Sequence, residues 1–438
     1  MKQKDVRTEL LRFIDRAPTP YHVVREVTSR LSSAGFTAWD ERDEWAVSAG
    51  DRGFVVRGGG SVIAFRIGEK PPAETGFRIL GAHTDSPNLK IKPSPDLVAS
   101  HYRQIGVEVY GGVLWATWLD RDLSLAGRVC WRGGRVDLID LRVPVCRIPS
   151  LAIHLDRGVN DKGMALNAQS HLIPILGSDG LSGGVSDLVL RALSEQGRPV
   201  PAPEALLGFD LSLYDTQPSA LGGDHEELIY APRLDNLASC HAAIEAILHA
   251  RATTCTQVVV LYDHEEVGSQ SSAGARSRFV LGVLERLAMG FPGASHQAPA
   301  RALAGSYLVS VDMAHAIHPN HPNKHDKQHR PLLGHGPVIK VNAGQAYATD
   351  GPAASVFAEA CQEAGCQPQR YVSRNDLPCG STVGPISAAR LGIRTVDVGN
   401  PMLSMHSCRE MAGATDVPVM ISALTHILQR EQLPASAD

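Results

Sequence analysis

Apolar and polar positions follow two rhythms along this chain. Near the start, Val24, Val27 and Leu31 recur at helical spacing behind Thr19 and Pro20, and Gly35 follows them. This predicts one helix over 6–15 and a second that begins at Pro20 and stops at Gly35. Further on, short apolar runs end abruptly in polar loops: 77–80 runs into GAHTD (81–85), 258–262 into DHEE (263–266), and 307–311 into Asp312. A run apolar on both faces belongs in the middle of a helix-covered sheet. Helical patterns over 237–249 and 352–364 alternate with these runs, so the expected class is α/β. In such sheets the ligand crevice lies at the carboxyl ends of the strands, where these polar residues sit.

Residues 93–208 have a different texture, with short β-like runs at 107–110, 128–130 and 136–139 and Gly-Gly pairs at 111, 133 and 183. They are expected to form an inserted, mainly β domain, flanked by a catalytic domain built from 1–92 and 209–438. That division fits 438 residues at about 150 per domain.

Composition narrows the function. The 42 Lys and Arg against 46 Asp and Glu leave a net charge of -4, which provides no basic field for nucleic acid or anionic lipid. No run reaches the 18 or so apolar residues of a membrane span, and the charged opening MKQKDVRTELLRFIDRAP does not read as a signal peptide. The 8 cysteines include no C-x-x-C pair. A soluble cytoplasmic protein with reduced thiols is expected. The 18 histidines ask the one chemical question, because imidazole is both a metal ligand and a proton carrier near neutral pH.

Five junctions hold candidate chemistry. His83 and Asp85 follow the first apolar run, and by themselves they read equally as a polar turn. Glu265 and Glu266 follow the most apolar run; they could share ligation and proton transfer, or merely complement a helix N-terminus. Asp235 stands where a helix N-cap would, Asp312 at a strand end, and His406 in the loop PMLSMHS. Taken together, two imidazoles and several carboxylates without a thiolate suit zinc, cobalt or manganese in an open catalytic site. Five ligands suit two ions that share a bridging carboxylate.

The stretches GAHTDSPNLKIKP (81–93), APRLDNLAS (231–239), DHEEVGSQSSAGA (263–275), VDMAHAIHPNHPNKHD (311–326), RNDLPCGSTVGPISAARLG (374–392) and MHSCREM (405–411) resemble the aspartyl aminopeptidases, a family of two-zinc exopeptidases. The resemblance implies a mixed sheet sandwiched by helices, with the insert serving dimerisation. It implies that His83 and Asp312 bind one zinc, Glu266 and His406 the other, and that Asp235 bridges them, with Co2+ or Mn2+ able to substitute. Glu265 then matches the general base that deprotonates a water between the ions, and Asp85 the carboxylate that orients His83. His154, in an Ile-His-Leu context read as strand-like, matches a histidine reaching in from a neighbouring subunit. Lys340 matches the cation that holds an acidic N-terminal side chain, and His318 a residue at the mouth of the site. The implied reaction is release of N-terminal Asp or Glu from short peptides, inside a tetrahedral dodecamer built from dimers.

Two rival readings stay open on the sequence. One is an N-acyl amino acid deacylase on the same two-metal framework; the other is a non-catalytic assembly or cargo-binding protein. The six histidines between 315 and 335 invite a metal-storage reading, but the resemblance makes this segment loops at the mouth of the active site.

Overall fold

The computed structural model describes residues 3–433. The first helix spans Gln3–Arg16 and the second Pro20–Ser33, with Gly35 in the left-handed conformation behind it (φ +82°). Thr19 enters the second helix without capping it; its hydroxyl meets the His22 ring instead, at 2.8 Å.

A nine-stranded mixed sheet forms the frame. Its centre is four parallel neighbours in the order Thr256–Tyr262, Phe77–His83, Tyr307–Val311 and Arg394–Gly399. The central strands are apolar in both directions because both faces are covered. Leu80, Ala82, Val259, Leu261, Val309 and Val398 join one core with the helices Gln3–Arg16, Leu234–His249, Gly351–Glu363 and Asp416–Leu428. Phe77, Ile79, Val258, Val260 and Leu308 face the other way, onto Phe279–Met289 and Val383–Leu391. Successive side chains of a strand alternate faces, so two layers of helices must enclose such strands.

A second, wholly antiparallel sheet of six strands runs in the order Val136–Asp140, Leu123–Trp131, Leu206–Asp215, Asn88–Ala99, Tyr102–Tyr110 and Ile175–Ser178. The helix Val185–Glu195 contributes to its separate core. The sheet takes in strands on both sides of the 93–208 segment. A third sheet of five short strands, Ala220–Gly222, Leu228–Ala231, Glu410–Gly413, Pro401–Leu403 and Ala314–His315, lies outside the sequence expectations. No described helix is long and apolar enough to cross a membrane.

Candidate metal centre

The carboxyl ends of the four parallel strands deliver most of the candidate residues to one place. His83 is the last residue of its strand and pairs in register with Tyr262; Asp263, His264, Glu265 and Glu266 follow Tyr262. Asp312 follows Val311, with its N–H donated to Val398 O at 2.8 Å. His406 follows the strand Pro401–Leu403. Asp235 arrives separately, at the start of the helix Leu234–His249. There it is not the cap the sequence suggested: Asp235 and Asn236 are both non-helical. No side-chain hydrogen bond caps this helix start.

The Asp235 carboxylate lies between two imidazoles. Asp235 Oδ1 is 3.6 Å from His83 Nε2, and Asp235 Oδ2 is 3.3 Å from His406 Nε2. Asp312 Oδ1 joins the His83 side at 3.6 Å, and Glu266 Oε2 joins the His406 side at 3.5 Å. The far nitrogen of each ring meets a backbone carbonyl: His83 Nδ1 lies 3.0 Å from Asp85 O, and His406 Nδ1 lies 3.0 Å from Gly112 O. A carbonyl only accepts, so each Nδ1 carries a proton, and Nε2 of each ring is the atom left to face the carboxylate oxygens and to ligate a cation once its own proton is gone.

Lone pairs facing one another at these distances call for cations between them. Ligand atoms held about 2.0–2.1 Å from a tetrahedral zinc stand about 3.3 Å apart, close to the separations seen here. Two of the oxygens, Asp235 Oδ1 and Glu266 Oε1, are buried without a hydrogen-bond partner. Atoms of His83, Asp235 and Glu266 fall within 4.8 Å of one another. The donor set around Asp235 therefore fits metal binding.

Electrostatics lead to the same conclusion. Burial alone would lower His83, but the carboxylates of Asp235, Asp312 and Asp85 outweigh it and hold the imidazole well above its usual value. Burial, together with the charge of Asp235, pushes Glu266 well up. Glu265 is raised to about 7, by burial first and then by the surrounding carboxylates over the opposing pull of His83. So dense an acidic cluster favours bound protons or bound cations.

Asp85 organises the His83 side. Its Oδ1 accepts the Glu265 N–H at 3.1 Å, and its Oδ2 accepts the Glu266 N–H at 3.1 Å and the Tyr110 hydroxyl at 2.7 Å. Glu265 thus sits in the same short turn as Glu266, and its carboxylate enters no hydrogen bond or ion pair among the described residues. Lys340 is 2% exposed; its Nζ donates to Met313 O at 3.1 Å and lies 3.4 Å from Asp312 Oδ2.

Two candidates stand apart. His318 lines an adjoining cavity of about 310 Å³ together with His315, Lys324, Tyr371, Arg374 and Met405. His154 is exposed, in a turn over 153–155 closed by Leu155 N to Ala152 O rather than in the strand its neighbours suggested. Within one protomer it is not brought to the cluster.

Four contributors escaped the sequence reading: Tyr110, Gly111, Gly112 and Glu410. Only the Gly-Gly pair left a signal. Gly111 has φ +72°, and a Cβ there would sit 3.1 Å from Glu266 Cβ; one on Gly112 would sit 3.1 Å from His406 Nδ1. The pair lets the end of the six-stranded sheet approach both residues.

Comparison with known proteins identifies a family of zinc metalloproteases. Residues 13–427 match the family described as aminopeptidase I zinc metalloprotease, M18. A probable M18 family aminopeptidase 2 of Pseudomonas aeruginosa is 45% identical over 433 residues, covering 97% of this chain and 98% of the relative. Ape4, solved by cryo-electron microscopy in complex with Nbr1, superposes with a TM-score of 0.93 at 39% identity, covering 98% of this chain and 86% of that one. The mature Ape1 dodecamer of Saccharomyces cerevisiae gives 0.83 at 28% identity, with 97% of both chains covered. The chain belongs to the M18 family, the aspartyl aminopeptidase family of zinc aminopeptidases.

Proposed function

We propose that this aminopeptidase uses two zinc ions per chain to release acidic N-terminal residues from short peptides. The observation that carries the reading is the Asp235 carboxylate, with one oxygen toward His83 and the other toward His406. His83 and Asp312 would hold one ion, Glu266 and His406 the other, and Asp235 both; Co2+ or Mn2+ could replace zinc in this oxygen- and nitrogen-rich set. When bound, the ions supply an activated water and positive charge for the developing oxyanion.

The chain's own residues do the rest. Glu265, unengaged and adjacent to the ligands, takes the proton from the attacking water and passes it to the leaving amine. Asp85, held by Tyr110, fixes the His83 ring and its tautomer. Lys340 has three donor protons and uses two of them on Met313 O and Asp312, leaving one for the acidic side chain of the substrate. His318, at the adjoining cavity, contacts the substrate at the mouth. His154 acts on the reacting carbonyl of a neighbouring copy, which is why it is exposed in a lone protomer. The unit around 93–208 provides the dimer contact, and the dimers build a dodecamer like that of yeast Ape1. The eight free cysteines fit a cytoplasmic setting.

The test is a panel of aminoacyl reporter peptides on metal-reconstituted protein, with free and blocked amines. Metal-dependent release of Asp and Glu from free-amine substrates only is expected. Equal turnover of blocked substrates would favour a deacylase, and no turnover with two ions bound would favour a non-catalytic role.

A further inference from the structure

We propose that Glu410 is a positioning residue: it sets the spacing between Asp235 and His406 and thereby the affinity of the ion those two share with Glu266. The inference rests on the two-metal reading above. Glu410 opens a strand at the centre of the five-stranded sheet, paired with Ala231, and is 2% exposed. One carboxylate oxygen, Oε2, accepts the Asp235 N–H at 3.0 Å; the other, Oε1, accepts the His406 N–H at 2.7 Å. A single side chain thus ties together two ligands from distant parts of the chain.

Both tied segments adopt conformations that need external support. His406 itself is left-handed at φ +67°, and Arg233, two residues before Asp235, is left-handed at φ +55°. Non-glycine residues hold such angles only where their surroundings over-determine them. Glu410 supplies that support for both. Asp85 does the same on the other side by accepting the N–H groups of Glu265 and Glu266. The ligand set is thereby held by two carboxylate clamps, and the Glu410 clamp touches neither His83 nor Asp312.

Folding alone would not select this arrangement. A buried carboxylate beside Asp235 adds like charge to an acidic cluster, which works against the folded chain until cations bind. A neutral amide would avoid that cost but would offer only one acceptor oxygen to the two N–H groups. The charge and the double grip together point to a role toward the ions.

The experiment measures zinc binding by the full-length protein, using competing chelators, for the parent, Glu410→Gln and Glu410→Asp. Gln keeps the shape but loses one acceptor; Asp keeps the charge but is one methylene too short to reach both N–H groups. Both variants are expected to bind one of the two zinc equivalents about 10- to 100-fold more weakly than the parent. The other equivalent should change less, the visible spectrum of the cobalt-substituted protein should shift, and kcat should fall with little change in KM. Parent-like zinc affinities and cobalt spectra in either folded variant would overturn the proposal, as would failure of both variants to fold in the presence of zinc. A parent chain that holds fewer than two ions would overturn the two-metal reading itself, and this inference with it.

Discussion

Replacing Glu265 by Gln isolates proton transfer from metal binding. The substitution is isosteric, and the hydrogen bonds recorded for this residue are made by its backbone, from its N–H to Asp85 Oδ1 and from Gly268 N–H to its carbonyl, which any side chain retains. The carboxylate itself enters no hydrogen bond or ion pair among the described residues, so its loss leaves Glu266 and His83 where they are. Zinc content should stay at the parental level. The rate should not: a positioned general base contributes about 10²- to 10⁴-fold, or about 2.7–5.4 kcal/mol of transition-state stabilisation. The pH profile gives a second reading. Burial and neighbouring carboxylates hold Glu265 at about 7. The base works only when ionised, so kcat/KM should fall as pH drops through its pKa; bound cations favour the charged form and place that limb at or below about 7. Steady-state hydrolysis of an acidic reporter peptide across pH, with metal analysis by mass spectrometry on the same samples, tests both points. Turnover within tenfold of the parent, an unmoved acid limb in the variant, or loss of zinc would each refute the assignment.

Other outcomes follow from the same geometry. Tyr110→Phe removes a 2.7 Å hydrogen bond to the Asp85 carboxylate, worth about 1.5–3 kcal/mol; a lower melting temperature and weaker zinc binding are expected, and calorimetry and chelator competition check them. Gly112→Ala places a methyl 3.1 Å from His406 Nδ1, so the ring must move by a few tenths of an ångström; zinc titration should show one of two equivalents weakened and the other less affected. Gly399→Ala would bring a Cβ to 1.8 Å from Asp312 O, and soluble yield should collapse. Removing metal with a chelator should lower thermal stability, and readdition of zinc at about 100 times its dissociation constant should restore about 2.7 kcal/mol, seen as a melting shift.

The strand ends were legible because the central strands bury both faces, so that a polar residue after Val311 or Tyr262 stands out against an unbroken apolar run. Asp235 was ambiguous on local grounds, since a carboxylate ahead of a helix is ordinarily a cap; only its turn toward the two rings separates the readings. The five-stranded sheet was not legible, because strands of two to four residues such as Ala314–His315 carry no periodicity. Tyr110 donates to Asp85, and Glu410 couples nearby His406 to Asp235, far back in the chain; nothing in their local patterns marks either residue. For His154, the pattern of apolar neighbours suggested a strand, whereas Leu151, Ile153 and Leu155 are exposed at 64%, 46% and 73% around a turn.

The His406 ring leans on Gly112 O, Cys408 N bonds to Thr117 Oγ1, and Tyr110 reaches Asp85, so the candidate metal centre is completed by the chain that leaves the six-stranded sheet. That chain is no detachable accessory. Excising 93–208 to obtain a minimal enzyme would unseat one imidazole and loosen the other, and grafting the segment from a relative would import a foreign contact to both. The two parts can be engineered only as one piece.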